Sequence, residues 1–454
     1  MFCKSTLALL IAVSAVISGL LAAAAPAFAA STETILYSFT DGADGSNPIA
    51  GLIFDKAGNL YGTTVQDGTN NSGTVFQLTK GTNGAWTETV LYNFCSLSGC
   101  ADGAFPYYGS LVFDTAGNLY GTTFEGGASG TSCNGLGCGT VFELTPSGNG
   151  TWTETVLWSF SGGTDGGQPY FGLTLDAAGH LYGTTLYGGS HPSTCGGLGC
   201  GVALELTPGA NGQWTERVLY NFCSAKNCTD GAGPSAGLVF HGRNLYGTAG
   251  GGASGAGVVF RLAPGNGQWA EKVLYNFCSA NHCADGTGPV GGLIFDTAGN
   301  LYGITLGGGV KDGCAHAGGC GTAFKLTPHA GSNWSRTTLH RFTNNGKDGT
   351  QPFAGLVLDA GDLYGTTQYG GTGNCTFLAL PGCGTVFRLA KGSNGEWTEN
   401  VVHSFQDNEE DGNNPYAGLI VDASGNLYGT TPTGGTNASS CSGDGCGTVF
   451  EITP

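Results

Sequence analysis

The sequence predicts an all-β chain closed into a seven-bladed β-propeller with four strands per blade, and three observations carry that prediction. The phrase Leu60-Tyr61-Gly62-Thr63-Thr64 returns six more times, barely altered, at intervals of 56 to 64 residues, the mark of one supersecondary unit copied and packed on itself. No window sustains a helical period, whereas short runs of β-branched and aromatic residues alternate with Gly, Asn and Pro. Finally, the sequence ends on a third strand, Gly447 to Thr453, while its opening segment Thr32 to Phe39 matches the fourth-strand segment Thr87 to Phe94. The opening strand is therefore expected to complete the last blade, which closes the ring and leaves no open sheet edge. An open β-solenoid would need atypical end repeats, and none is present.

Each unit reads in the same order. An Asp-Gly-x-x-Pro loop leads into a short apolar run such as Gly51-Leu52-Ile53-Phe54, apolar at successive positions as expected for a strand covered on both faces. A turn at Ala57-Gly58-Asn59 follows, then the Leu-Tyr-Gly-Thr-Thr strand. A glycine-rich loop leads to the third strand, Gly73 to Thr79, and a Gly-Thr-Asn-Gly turn leads to the fourth, which opens at Trp86. In this order the fourth-to-first and second-to-third connections share one face. Those are the long, variable loops, so a ligand is expected there.

Composition narrows the partners. Fifteen Lys and Arg against 32 Asp and Glu give a formal charge of -17, which disfavours nucleic acid and anionic lipid surfaces. Glycine, at 85 residues, falls at fixed places in each repeat without a collagen-like triplet. Residues 1–30 read as a cleaved signal peptide: Lys4, an apolar run from Leu7 to Ala25, then Ala27-Phe28-Ala29. Residues 31–454 form the propeller domain, with no membrane-length apolar segment, and the product is expected to be a monomer outside the cytoplasm.

With Cys3 set aside in the signal segment, sixteen cysteines fall into close couples: Cys95 with Cys100, Cys133 with Cys138, Cys195 with Cys200, Cys223 with Cys228, Cys278 with Cys283, Cys314 with Cys320, Cys375 with Cys383, and Cys441 with Cys446. Cysteines are gained or lost between repeats two at a time, so each couple is expected to bond within itself, stiffening a loop in an oxidising compartment.

The repeated loop carboxylates are Asp44, Asp102, Asp165, Asp230, Asp285, Asp348 and Asp411, each four residues before a proline. Sevenfold repetition favours a shared structural duty, fixing a turn through nearby backbone amides, over a ring of cation ligands. Departures from the repeat point to function instead. Tyr107, Tyr108, Tyr170, Phe171, Phe353 and Tyr416 follow the prolines, and Phe124, Tyr187 and Tyr369 lie in the second-to-third loops. Aromatic faces beside amides and carboxylates suit sugar rings or peptide side chains. The eight histidines (His180, His191, His241, His282, His316, His329, His340 and His403) show no metal-ligand spacing, and most of them read as surface substitutions; no metal, cofactor or catalytic residue is assigned.

The recurring Gly-Asn-Leu-Tyr-Gly-Thr-Thr and Gly-Thr-Val-Phe phrases resemble the GloVer tandem repeats of secreted bacterial proteins across residues 31–454. The resemblance implies export and brings no activity, and the chain shows no C-terminal sorting segment of the kind that family's members carry. A non-catalytic binding or surface-associated propeller, taking a carbohydrate or protein ligand, is the expectation; the rival is a polysaccharide lyase or hydrolase with its residues at the channel mouth.

Overall fold

Seven antiparallel blade sheets, each with the four strands of the repeat and the fourth with an added Ala232–Pro234 strand, make up a computed structural model that describes residues 31–454, apart from 129–132, 192–194, 266–268, 311–313, 315–317, 378–379, 407, 409 and 437–440. Residues 1–30, expected from the sequence to be a signal peptide, lie outside the described residues. Blade 1 comprises Ile53–Phe54, Leu60–Thr64, Thr74–Lys80 and Trp86–Asn93, ordered from the axis outward. Blades 2 to 6 repeat this order, with outer strands Trp152–Ser159, Trp214–Asn221, Trp269–Asn276, Asn333–Arg341 and Trp397–Ser404. Blade 7 takes its three inner strands from Ile420–Val421, Leu427–Thr431 and Thr448–Thr453, and its outer strand is Thr32–Ser38, paired antiparallel from Thr32 opposite Thr453 to Ser38 opposite Thr448. The described residues contain no α-helix, only short 3-10 turns.

Inside a blade, one glycine sets the packing. A Cβ on Gly62 would lie 2.6 Å from the Phe76 ring, and Gly121, Gly247, Gly303, Gly365 and Gly429 stand in the same relation to Phe142, Phe260, Phe324, Phe387 and Phe450 at 2.5–2.7 Å. The glycine of the second strand thus makes room for the phenylalanine of the third. Blade 3 carries Leu204 in place of that phenylalanine, and the nearest neighbour of Gly183 there is Leu173. Beside the glycine, the last threonine of the second strand bonds the first of the third, as Thr64 with Thr74 and Thr431 with Thr448. Blade 4 replaces both partners together with Ala249 and Val258, which removes the hydroxyls without orphaning one.

Between blades, one backbone hydrogen bond recurs at all seven seams. The residue before the loop proline donates its N–H to a carbonyl of the preceding blade at 2.7–2.9 Å: Asn47 to Cys446, Phe105 to Ser72, Gln168 to Cys138, Gly233 to Cys200, Gly288 to Ala256, Gln351 to Cys320 and Asn414 to Cys383. Its φ is 54–59° in every case. The proline ring then seats on the glycine that opens the third strand of the preceding blade, so close that a Cβ there would lie 2.2–2.8 Å from the proline Cδ. At six seams the phenylalanine following an outer strand packs edge-to-face on the next blade, as Phe39 on Phe76 and Phe405 on Phe450, with centroids 5.2 Å apart in both; at the seam between blades 2 and 3, Phe160 lies in one apolar cluster with Leu204. The Asn47–Cys446 bond, the Pro48–Gly447 contact and the Phe39–Phe76 pair join the two ends of the described chain on the same pattern as every other seam.

Two expected outcomes follow from this packing. Gly303→Ala drives a methyl into the fully buried Phe324 ring and is expected to cost about 1–3 kcal/mol, read as a lower midpoint in thermal or denaturant unfolding. Deleting residues 31–39 strips blade 7 of its outer strand and the seam of Phe39; burial of that ring alone is worth about 3–5 kcal/mol, and an unchanged midpoint would refute ring closure.

Candidate functional site

The inner strands meet around a cavity of about 460 Å³ lined by residues of all seven blades. Glycines at the start of these strands allow the backbones to approach: a Cβ on Gly355 would lie 2.7 Å from the Gly292 carbonyl oxygen, and one on Gly51 would lie 2.7 Å from Ser110 Oγ. Aromatic residues crowd the axis where the long loops enter. Tyr108 of blade 2 reaches across to Phe353 of blade 6 with centroids 4.9 Å apart, Tyr416 packs on Phe353 at 5.3 Å, and Tyr170 and Phe171 flank Tyr108. The titratable side chains lining this cavity are Tyr108 and Tyr416, and burial pushes both phenols up, so they stay neutral.

The predicted aromatic rim is thus divided among three places. Tyr108, Phe171, Phe353 and Tyr416 form the axial cluster, with Tyr170 bridging from it to Tyr107 at 5.4 Å and Phe124 at 5.4 Å. Tyr369 is only 4% exposed, and Gln368 donates its side-chain amide to both Tyr369 and Tyr416. Tyr187 stands apart, facing an open cleft between blades 2 and 3.

That cleft encloses about 720 Å³ on the long-loop face. Its aromatic sides are Phe124 and Tyr187, and its polar groups include Glu125, Gln168, Ser161 and Ser190. Within blade 2 a backbone bridge ties Ala104 to Glu125, and within blade 3 another ties Gly167 to Tyr187; the Gln168 N–H, donated to the Cys138 carbonyl across the seam, sets the two loop systems side by side, so that residues about sixty positions apart share one wall. Leu198, 52% exposed, forms an apolar lip at the tip of a loop closed by the Cys195–Cys200 disulfide, and Cys133 of the Cys133–Cys138 disulfide lines the floor. Burial raises the Glu125 carboxyl above the usual range. Sequence reading missed Glu125 and Gln168 because their placement depends on the bridge between loops.

All eight cysteine couples are disulfides, each within its own loop. The repeated aspartates lie in the seams and none lines the axial cavity. Asp102 accepts from the backbone N–H of Ser96 and Leu97, Asp285 from Ser279 and Ala280, and Asp44, Asp165, Asp230, Asp348 and Asp411 each accept at least one backbone N–H from the turn they close.

A match to a described repeat family decides what kind of chain carries this geometry: the Gloeobacter/Verrucomicrobia repeat aligns with residues 130–315 and 313–454. The chain belongs to the Gloeobacter/Verrucomicrobia repeat family. No curated protein matches it. Among solved structures it is similar to a phage phi92 endosialidase, at 12% identity over 93% of this chain and 68% of that one with a TM-score of 0.42. It is also similar to an RS223 β-xylosidase, at 9% identity over 67% of this chain and 98% of that one with a TM-score of 0.34.

In this Gloeobacter/Verrucomicrobia repeat, the outer strand carries a second acidic position that the sequence reading passed over. Glu88, Glu154, Glu216 and Glu271 face Asp44, Asp102, Asp165 and Asp230, and burial first, then the aspartate charge, raises their carboxyls to about 7, 8, 7 and 7. The histidines also need correction. His340 and His403 are not surface substitutions, since their side chains are 22% and 19% exposed and each Nε2 lies 3.0 and 3.2 Å from Asp348 and Asp411. His241 stacks on Phe295 of the next blade, with centroids 4.2 Å apart. His316 lies outside the described residues.

Because these glutamates hold their protons more tightly folded than unfolded, their contribution to stability is complete below pH about 4.5 and is lost as pH rises through about 7 to 8. The carboxylates of Asp55, Asp296 and Asp422 work in the opposite sense. Burial opposes their charge, but hydrogen bonds from the turns they close hold them below the ordinary value, so their contribution is lost only in stronger acid. The thermal midpoint is expected to be higher at pH 5 than at pH 8, with a smaller difference in Glu154→Gln. A midpoint that rises over this interval would contradict the assignment.

Proposed function

We propose that this chain is an exported carbohydrate-binding propeller whose ligand lies in the cleft between blades 2 and 3. The observation that carries the reading is the cleft itself: two aromatic side chains, Phe124 and Tyr187, beside a carboxyl, an amide and two hydroxyls, in a recess of about 720 Å³. Flat apolar faces take the C–H side of a sugar ring, while Gln168, Ser161, Ser190 and Glu125 offer donors and acceptors to its hydroxyls. The disulfide-closed loop that carries Leu198 lowers the entropy lost on ordering the lip around a ligand. Hydrolysis of a glycosidic bond ordinarily uses two carboxyl groups flanking it, and Glu125 is the one carboxyl among the described lining residues. That donor set supports binding over cleavage. Eight disulfides support an oxidising compartment outside the cytoplasm, and no helix among the described residues is long and apolar enough to cross a membrane.

Titration of the mature chain with a panel of oligosaccharides tests the reading. Phe124→Ala and Tyr187→Ala are each expected to weaken binding by about tenfold, corresponding to roughly 1.4 kcal/mol, without lowering the unfolding midpoint comparably. Tyr416→Ala, in the axial cluster, should lower the midpoint and leave affinity unchanged in the chain that remains folded. Carbohydrate binding untouched by both cleft substitutions would place the ligand elsewhere.

A further inference from the structure

Two of the seven seams depart from the others in a way that changes their chemistry. At four seams a tyrosine on the outer strand donates its hydroxyl to the loop aspartate of the next blade: Tyr37 to Asp44, Tyr92 to Asp102, Tyr220 to Asp230 and Tyr275 to Asp285, at 2.6–3.0 Å. Trp158 holds the place before Asp165. Before Asp348 and Asp411 the place is taken by His340 and His403, with each Nε2 directed at the aspartate Oδ2. The outer strand of the following blade completes each group with a glutamate, Glu399 at the first and Glu33 at the second. One ligand atom from each of His340, Asp348 and Glu399 lies within 4.8 Å of the other two, and the same holds for Glu33, His403 and Asp411.

Each group keeps a buried oxygen without a partner, although both oxygens of Asp411 are bonded. Asp348 is 6% exposed, yet its Oδ1 has no hydrogen-bond partner, and Oε1 of Glu399 and of Glu33 are likewise buried and unpaired. Buried carboxylate oxygens without donors are costly, and a cation between them removes that cost. The chain itself shows that this position accepts positive charge. At the seam between blades 4 and 5, Arg336 stands where the other blades carry glutamate, beside Asp285 and over the rings of Tyr275, Phe277 and Phe324 at 5.7–5.8 Å.

We propose that the seams between blades 5 and 6 and between blades 6 and 7 each bind a divalent cation of the zinc type, one through His340, Asp348 and Glu399 and the other through His403, Asp411 and Glu33. An imidazole nitrogen and two carboxylate oxygens, with the fourth position left to water, is a donor set that suits zinc. Tetrahedral ligands sit about 3.3 Å apart, so each glutamate closes on the His–Asp pair by side-chain rotation. A groove of about 390 Å³, lined by Thr343, Asn345 and Lys347 as well as the three ligands, gives the ion and its water access to the first site. The second site has a mechanical consequence. Glu33 lies on the strand that completes blade 7, so a cation there links that strand to blade 6 and the loop after it.

The test uses the full mature chain, freed of metal with a chelator and titrated with Zn²⁺ by calorimetry. Two ions per chain are expected, with a rise in the thermal midpoint. His340→Tyr and His403→Tyr restore the residue that four other seams carry, so both are expected to fold, and each should remove one ion. The double variant should bind none, and Co²⁺ added to it should lose the visible absorption that a tetrahedral site gives the parent chain. A parent chain that takes up no zinc, or a double variant that takes up as much as the parent, overturns the proposal.

Discussion

The backbone hydrogen bond from the residue before each loop proline to the preceding blade is the interaction on which the ring depends. It fixes the angle at which one sheet meets the next, because the same residue must adopt a positive φ and the same proline must seat on a glycine of the neighbour. Everything else at the seam is arranged around that contact. The aspartate four residues before the proline holds the preceding turn, the phenylalanine after each outer strand fills the gap beneath, and the tyrosine of the second strand packs across on the next blade, as Tyr61 does on Phe113 and Trp152. Residue types that recur in the sequence are those that touch a neighbouring blade or a neighbouring strand.

The same dependence decides how much of the fold is legible in the sequence. Blade number, strand order and closure were legible because they depend on local phrases whose spacing is set by the chain. The disulfides were legible for the same reason: partners five to eight residues apart appear and vanish together. The aspartates were legible as a position identical in every blade, which is what shared geometry demands. What escaped was every feature made by two loops or two blades at once. Nothing near Glu125 in sequence shows that it faces Gln168 and Tyr187, and nothing near His340 shows that Glu399 lies beside it.

The aromatic residues illustrate the same limit. By position along the chain, Tyr107, Tyr108, Tyr170 and Tyr416 look like one surface. In the folded chain Tyr108 and Tyr416 close the axis, an apolar role that the small central radius imposes, whereas Tyr187 lines the cleft with Phe124. A ring of glycine backbones leaves a void at its centre that only large side chains entering from the loops can fill, and blades 2, 3, 6 and 7 supply them. Departure from the repeat therefore has two sources, filling the axis and building a site, and only the second concerns a ligand.

Ring closure also sets the order of events in folding. Thr32–Ser38 emerges ahead of every other described strand, yet its partner Thr448–Thr453 is the last. The strand that leads the chain must wait for the whole of it, and during that interval the outer strand is unpaired while local hairpins of blades 1 to 6 can already form. A pairing of such high contact order is slow and leaves a sheet edge open to other chains. The charge of -17 then acquires a kinetic use: mutual repulsion keeps incomplete rings apart until each has found its own end.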